Sequence, residues 1–241
     1  MQASGAGLFE YHLEAELDYE FRKGGAKMPA YGSIVAAGRN ACILHYREND
    51  APMKDGDLVL IDAGAEYRGY ASDITRTFPV NGRFSAEQRA LHDLVLAAQA
   101  AALEQAQPGI AYEEGHLAAV EVLTEGLLRL GLLKGDLEEN LIEGHYKRFY
   151  RHKTGHWLGL DVHDVGDYRL AGESRLLEPG MVFTIEPGLY VSPDDGSVEA
   201  RWRGIGIRIE DDVLITGDGH RVLTGELERS ADGIEAFMAA R

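Results

Sequence analysis

Residues 152–164 read His-Lys-Thr-Gly-His-Trp-Leu-Gly-Leu-Asp-Val-His-Asp, which brings His152, His156 and His163, three of the nine histidines, within a dozen positions. Imidazole is the commonest metal ligand and the side chain whose proton moves near neutral pH, so this density between Gly155 and Gly159 marks a candidate site. Histidine alone does not choose a chemistry, because a buried imidazole is as readily a hydrogen-bonded core group. The partners that choose it are acids closing apolar, strand-like runs: Asp62, Asp73, Glu186 and Glu210. Four carboxylates gathered at one place repel, and burial pushes their pKa values up, so they require a cation. Two divalent ions balance four negative charges, and His156 adds a neutral nitrogen. An oxygen-rich set of this kind favours Mn²⁺, with Co²⁺ or Zn²⁺ as alternatives. Neighbouring dications that share a water lower its pKa to about 7, which gives a nucleophile suited to amide hydrolysis at neutral pH. His45, His152, His163 and Arg208 are the donors and cations left to hold a carbonyl and take up its charge.

Periodicity shows which segments carry these groups. Phe9, Leu13, Leu17 and Phe21 recur every four positions and predict an amphipathic helix that stops at Gly24-Gly25. Residues 26–50 read as short strands and loops, with His45 after the apolar Cys42-Ile-Leu. An apolar run at 58–61 ends in Asp62-Ala-Gly, and a second run, 73–78, follows Tyr67-Arg-Gly-Tyr. A hairpin turning near Arg68 lays Asp62 opposite Asp73 to within two residues. Ser85 and Gln88 form a capping box for a helix reaching about Gln107, and a second helix covers 112 to about 130. The Glu and Gln residues of both helices read as solvated faces. Strands return at 181–185, ending in Glu186-Pro-Gly, and at 204–215. There Ile205, Ile207 and Ile209 alternate with Arg208 and Glu210, which puts the two charges on one face. A short helix, 231–239, closes the chain.

Gly56-Asp-Leu-Val-Leu-Ile-Asp62-Ala-Gly64 aligns without gaps on Gly180-Met-Val-Phe-Thr-Ile-Glu186-Pro-Gly188. Each half therefore offers a strand ending in a carboxylate and then a second strand bearing another acid. Two such halves facing each other converge four carboxylates on one cleft, in an α+β domain on a curved, mostly antiparallel sheet.

Composition narrows the partners. Forty acidic against 24 basic residues, a formal net charge of -16, argue against nucleic acid and anionic membranes. The single cysteine, Cys42, excludes an internal disulfide and a thiolate metal cluster and fits a reducing cytoplasm, where it packs inertly. No apolar run approaches membrane-spanning length, and no signal peptide is expected.

Asp62, Asp73, His156, Glu186 and Glu210, in that order and with those neighbours, resemble the five metal ligands of the pita-bread metallopeptidases. The segments Ile61-Asp-Ala-Gly, Ser72-Asp-Ile-Thr-Arg-Thr-Phe, Gly155-His-Trp-Leu-Gly-Leu-Asp-Val-His-Asp, Thr184-Ile-Glu-Pro-Gly-Leu-Tyr and Gly204-Ile-Gly-Ile-Arg-Ile-Glu-Asp-Asp are most similar to its aminopeptidase P group. The resemblance implies a single pita-bread catalytic domain over 1–241, with pseudo-two-fold halves and helices packed outside. It implies two divalent ions, Mn²⁺ first, with Asp62 and Glu210 among the bridging or chelating carboxylates and Glu186 also serving as general base. His45, His152 and His163 match the substrate-side histidines that hold the scissile and prolyl carbonyls, and Arg208 matches an arginine just behind the ligands. The implied substrate is a peptide with proline at the second position, and the implied assembly a cytoplasmic homo-oligomer. Two departures are expected to matter: Lys153 stands where relatives carry a small residue, and the family's N-terminal domain and first catalytic-domain helix are absent. Rival readings are a prolidase acting on Xaa-Pro dipeptides and a pita-bread module that only binds a partner. The latter would be expected to have lost ligands.

Overall fold

The structure, a computed structural model, describes residues 1–240. In chain order the elements are α1 (Glu10–Lys23), β1 (Met28–Pro29), β2 (Ile34–Ala37), a 3-10 turn at Gly38–Cys42, β3 (Leu58–Asp62), β4 (Ala65–Tyr67), β5 (Tyr70–Ala71) and β6 (Thr75–Pro79). Three helices follow: α2 (Ala86–Glu104), α3 (Tyr112–Arg129) and α4 (Leu137–Ile142). The chain then returns to strands: β7 (Arg169–Leu170), β8 (Glu173–Ser174), β9 (Val182–Ile185), β10 (Gly188–Tyr190), β11 (Gly206–Arg208), β12 (Asp211–Ile215) and β13 (His220–Val222), before α5 (Ala231–Ala239). Among the described residues every strand pairing is antiparallel, and two three-stranded sheets, β2-β3-β6 and β13-β12-β9, form the centre.

The first hairpin turns where its residues allow it. Arg68 and Gly69 both take positive φ (55° and 87°), as a two-residue turn matching strand twist requires. Counting back from the Tyr67↔Tyr70 pair sets Asp62 opposite Thr75, two residues beyond Asp73 and within the expected margin. In the other half Ile185 pairs with Asp211, so Glu186 and Glu210 lie just past the last pair of the β9-β12 ladder. The two halves are stitched together where Glu210 N–H donates to Thr75 O (3.1 Å) and Arg208 N–H donates to Thr77 Oγ1 (3.1 Å).

The 204–215 run, expected as one strand, is two. At Ile209 the chain leaves β10 for β9, bonding Pro187 O on the way, and Glu210 N–H is taken by β6 of the other half. Arg208 and Glu210 share a face as the alternation requires, yet both faces are covered: Glu210 is 1% exposed.

Helices cover the sheets on the side away from the acids. Leu13 of α1 and Ile234 and Met238 of α5 pack with Val35, Val59 and Phe78, while alternation turns Leu60 and Asp62 of β3 to the opposite face. Leu91, Val95 and Ala98 of α2 and Leu123 and Leu127 of α3 share a core with Ile185, Ile207, Ile209 and Val213. Each such leucine contributes about 1.5–3 kcal/mol of burial, which clamps the ligand-bearing strand ends. The capping box forms as predicted, with Ser85 Oγ accepting from Gln88 N–H and Gln88 Oε1 accepting from Ser85 N–H. One expectation for these helices fails: Gln99 of α2 is not solvated but buried, donating to Asp211 Oδ2 (2.9 Å), because α2 lies on the sheet at this point. Among the described residues no helix is long and apolar enough to cross a membrane.

Candidate metal centre

A cleft of about 360 Å³ at the junction of the two halves is lined by Asp62, Asp73, His156, Glu186 and Glu210, and by His45, His152, His163, Arg208 and Tyr31. Asp62 ends β3, Asp73 precedes β6, Glu186 follows β9 and Glu210 sits at the β11-β12 break. Two close approaches of bare backbone bring the ligand pairs together. A Cβ on Gly64 would lie 1.6 Å from Ser72 O, and one on Gly155 would lie 1.9 Å from Thr184 O. Glycine at these points lets the Asp62 segment cross the Asp73 segment and lets His156 run beside Glu186.

His156 Nδ1 faces Trp157 O (3.1 Å), and a carbonyl only accepts, so Nδ1 carries a proton and Nε2 points to the acids. Nε2 lies 3.3 Å from Asp73 Oδ2 and 3.4 Å from Glu186 Oε1. Burial alone would push the His156 pKa down, but the hydrogen bond to Asp73 and the charge of Glu186 outweigh it and lift the ring to about 9. Burial, reinforced by Asp73 and Asp62, pushes Glu186 up to about 7 against the pull of His156 and Arg208. Burial and the charges of Asp73, Glu186 and Asp62 drive Glu210 well above the ordinary carboxylate range, and burial also raises Asp73.

The site is therefore short of positive charge. Each nitrogen of Arg208 is already engaged, with Nη2 on Asp62 Oδ2 (2.6 Å), Nη1 on Tyr190 Oη (2.9 Å) and Nε on Thr75 Oγ1 (3.2 Å). Tyr31 Oη touches both Asp62 Oδ1 (2.5 Å) and Asp73 Oδ1, although one phenol has a single proton to give. Ligand atoms of Asp73, His156 and Glu210 all lie within 4.8 Å of one another. An oxygen-rich, acidic pocket with one inward imidazole nitrogen and a surplus of carboxylates fits a hard divalent ion well.

The three other histidines, alike in sequence, occupy different settings. The rings of His45 and His163 have no hydrogen-bond partner among the described residues and stand exposed at the cleft; the His163 ring lies 4.2 Å from that of His156. Burial and the neighbouring His156 lower the His163 pKa, so the ring is neutral and has one N–H to offer. His152 is engaged at both nitrogens, by Lys153 O at Nδ1 (2.8 Å) and Tyr190 Oη at Nε2 (2.8 Å). Burial and the charge of Arg208 hold its pKa at about 3. The neutral ring donates from Nδ1, so its Nε2 accepts the Tyr190 proton while Tyr190 Oη accepts from Arg208. The result is an internal relay running Arg208, Tyr190, His152.

Sequence reasoning missed Tyr31, Tyr190, Thr75 and Thr184. Thr75 Oγ1 donates to Glu210 Oε2 (2.5 Å), and Thr184 Oγ1 accepts from His156 N–H (3.1 Å) while donating to Glu186 Oε1 (3.2 Å). Thr75 and Thr184 lie two residues from acids already singled out, Asp73 and Glu186, and β alternation sends residues so spaced to one face, which is the signal that could have found them. Tyr31 had no such signal.

The model of "Metallopeptidase family M24" matches residues 1–217. The Xaa-Pro aminopeptidase of Escherichia coli strain K12 is 51% identical over 240 residues, covering 100% of this chain and 54% of that protein. The Xaa-Pro aminopeptidase of Haemophilus influenzae is 50% identical over 238 residues, 99% of this chain and 55% of that protein. Among solved structures, the aminopeptidase PepP of Pseudomonas aeruginosa is similar with a TM-score of 0.98 and 64% identity, over 99% of this chain and 54% of that one. The chain spans about half the length of the curated relatives it matches.

Proposed function

The chain belongs to metallopeptidase family M24, with the pita-bread α+β fold of the aminopeptidase P structures, and on that premise we propose that it is a metal-dependent aminopeptidase cleaving before proline. The observation that carries this reading is the convergence of Asp62, Asp73, His156, Glu186 and Glu210 in one cleft, with His45 and His163 free on its walls. Those five residues would hold two divalent ions, Mn²⁺ by preference. Once bound, the ions supply Lewis acidity that polarises the scissile carbonyl and lowers the pKa of water to about 7.

The chain's own groups do the rest. Glu186 accepts the proton of the attacking water and returns it to the departing proline nitrogen, so the imino group leaves neutral. Proline brings no N–H, so the substrate must be held by its carbonyls and its free amine. His163 and His45 donate to those carbonyl oxygens. The Arg208-Tyr190-His152 relay fixes Asp62 from behind and keeps a cationic partner beside it. We place this unit in the cytoplasm, within a homo-oligomer.

The test compares turnover of Xaa-Pro-Yaa peptides, Xaa-Pro dipeptides and Ala-Ala peptides by the Mn²⁺-loaded chain. Preference for Xaa-Pro-Yaa is expected. Cleavage of dipeptides alone would make it a prolidase, faster cleavage of Ala-Ala peptides would contradict proline direction, and turnover of none would leave a binding module.

A further inference from the structure

Glu10, the first residue of α1, is a carboxylate with 0% of its surface exposed, and no ion pair among the described residues includes it. Its oxygens accept four hydrogen bonds. Oε1 accepts from Ala37 N–H (2.7 Å) and Asn40 Nδ2 (3.0 Å), and Oε2 accepts from Tyr46 Oη (2.8 Å) and Ala51 N–H (2.9 Å). A carboxylate is costly to take out of water unless its lone pairs are filled, and four donors fill them.

The donors all belong to one segment. Ala37 closes β2, Asn40 lies in the 3-10 turn, Tyr46 follows His45, and Ala51 is where the segment comes back beside α1, its carbonyl accepting from Glu10 N–H (3.0 Å). Beyond the 3-10 turn, residues 43–51 form no helix or strand. Glu10 therefore ties both ends and the middle of the loop to α1, and the same loop presents Leu44, His45 and Arg47 to the cleft. The His45 ring has no partner of its own among the described residues, so its reach is set by the backbone on either side. On one side that backbone is anchored by Tyr46, buried and bonded to Glu10.

We propose that Glu10 is a positioning residue for the peptidase reaction, acting through Tyr46 and the 37–51 loop to set how His45 reaches into the cleft. The proposal rests on the reading of His45 as a donor to a substrate carbonyl. An amide in place of the carboxylate turns an NH₂ toward two of the four donors. Each oxygen faces one backbone N–H, Ala37 or Ala51, which cannot reverse its role, so in either orientation the loop must shift. Displacements on the order of 1 Å cost rate factors of about 10² at a site that depends on alignment.

The test uses the full chain, loaded with Mn²⁺ for kinetics and with diamagnetic Zn²⁺ for NMR, because Mn²⁺ would broaden signals from the cleft. Glu10→Gln and Tyr46→Phe are made alone and with His45→Ala, and kcat, KM, metal content and the imidazole NMR signals are measured, the His45 signals being those missing from His45→Ala. Glu10→Gln is expected to lower kcat/KM about 10- to 100-fold with metal content retained, and Tyr46→Phe less, in the same direction. Both losses should shrink below about twofold when His45 is already alanine, since the effect passes through that residue. The His45 signals should move in both variants. Equal losses in both backgrounds, or unmoved His45 signals in the folded variants, overturn the proposal. If the parent chain turns over no peptide, the functional reading fails, and the His45 signals alone decide the positioning in the same sense. If Glu10→Gln does not fold, Tyr46→Phe carries the same comparison.

Discussion

Asp211→Ala should be among the most damaging single changes outside the cleft, and the structure allows the loss to be worked out. Asp211 is fully buried and accepts from Arg76 Nη2 (2.7 Å), Thr224 Oγ1 (2.6 Å), Gln99 Nε2 (2.9 Å) and Arg229 Nη1 (3.0 Å). The Arg76 side chain is only 6% exposed, so removing its partner strands a charge in the core, a loss of about 3–5 kcal/mol. Arg229, 33% exposed, is screened by solvent and adds at most about 1 kcal/mol. Gln99 Nε2 keeps weaker contacts to Ile185 O and Ile209 O, and Arg76 keeps carbonyls at Thr75, Glu210, Leu227 and Glu228. Those remaining acceptors place the expected loss at the lower end, about 3 kcal/mol, against a whole-domain stability of roughly 5–15 kcal/mol. The assay is urea unfolding with chelator present, so that metal binding does not mask the change, read as a shift in midpoint at constant slope. Because Arg76 also donates to Glu210 O (2.6 Å), metal affinity should fall in the same variant. A loss below about 1 kcal/mol with unchanged metal affinity would refute the reasoning that this carboxylate neutralises Arg76 and steadies Glu210.

His92 is buried against Phe84 with neither ring nitrogen partnered, and burial together with the charges of Arg89 and Arg76 holds its pKa at about 4. The unfolded chain binds that proton near pH 6.5, so the stability it confers is complete above about 6.5 and is lost as pH falls toward about 4, on the order of 3 kcal/mol. His92→Phe should flatten this limb of the pH profile of unfolding, and an unchanged slope would contradict the assignment. His163→Ala should lower kcat/KM by about 10² while metal content stays intact, whereas loss of metal would make His163 a ligand. Loading the metal-free chain should take up about two divalent ions and release protons, because His156, held at about 9, must bind as the neutral ring. Affinity should therefore rise with pH up to about 9, and calorimetry in buffers of different ionisation enthalpy should register at least about one proton near pH 7.5. Binding without proton release would show that His156 is not a ligand.

Local structure was legible because its causes are local. The four-residue spacing of Phe9, Leu13, Leu17 and Phe21, the Ser85/Gln88 box and the Arg68-Gly69 turn each depend on neighbours within a few positions. The five candidate ligands were legible for a related reason. A carboxylate at the end of an apolar run is conspicuous, and the repeat of Asp62-Ala-Gly in Glu186-Pro-Gly set two such ends in matching places. What the tertiary structure alone decided is how each group is held. Tyr31 lies 31 residues from Asp62 and Thr75 lies 135 from Glu210, separations at which no periodicity carries information. Gln99 looked like part of a solvated helix face until the packing of α2 on the sheet took it out of water and set it against Asp211, 112 residues away. The break of 204–215 into β11 and β12 has the same origin, since the chain changes partner at Ile209 and gives the Glu210 N–H to the other half. The three candidate histidines, equivalent as letters, were separated by their hydrogen-bond partners: His152 found Tyr190, while His45 and His163 have none among the described residues, because an imidazole's role follows from what occupies its two nitrogens, and those occupants arrive from distant strands.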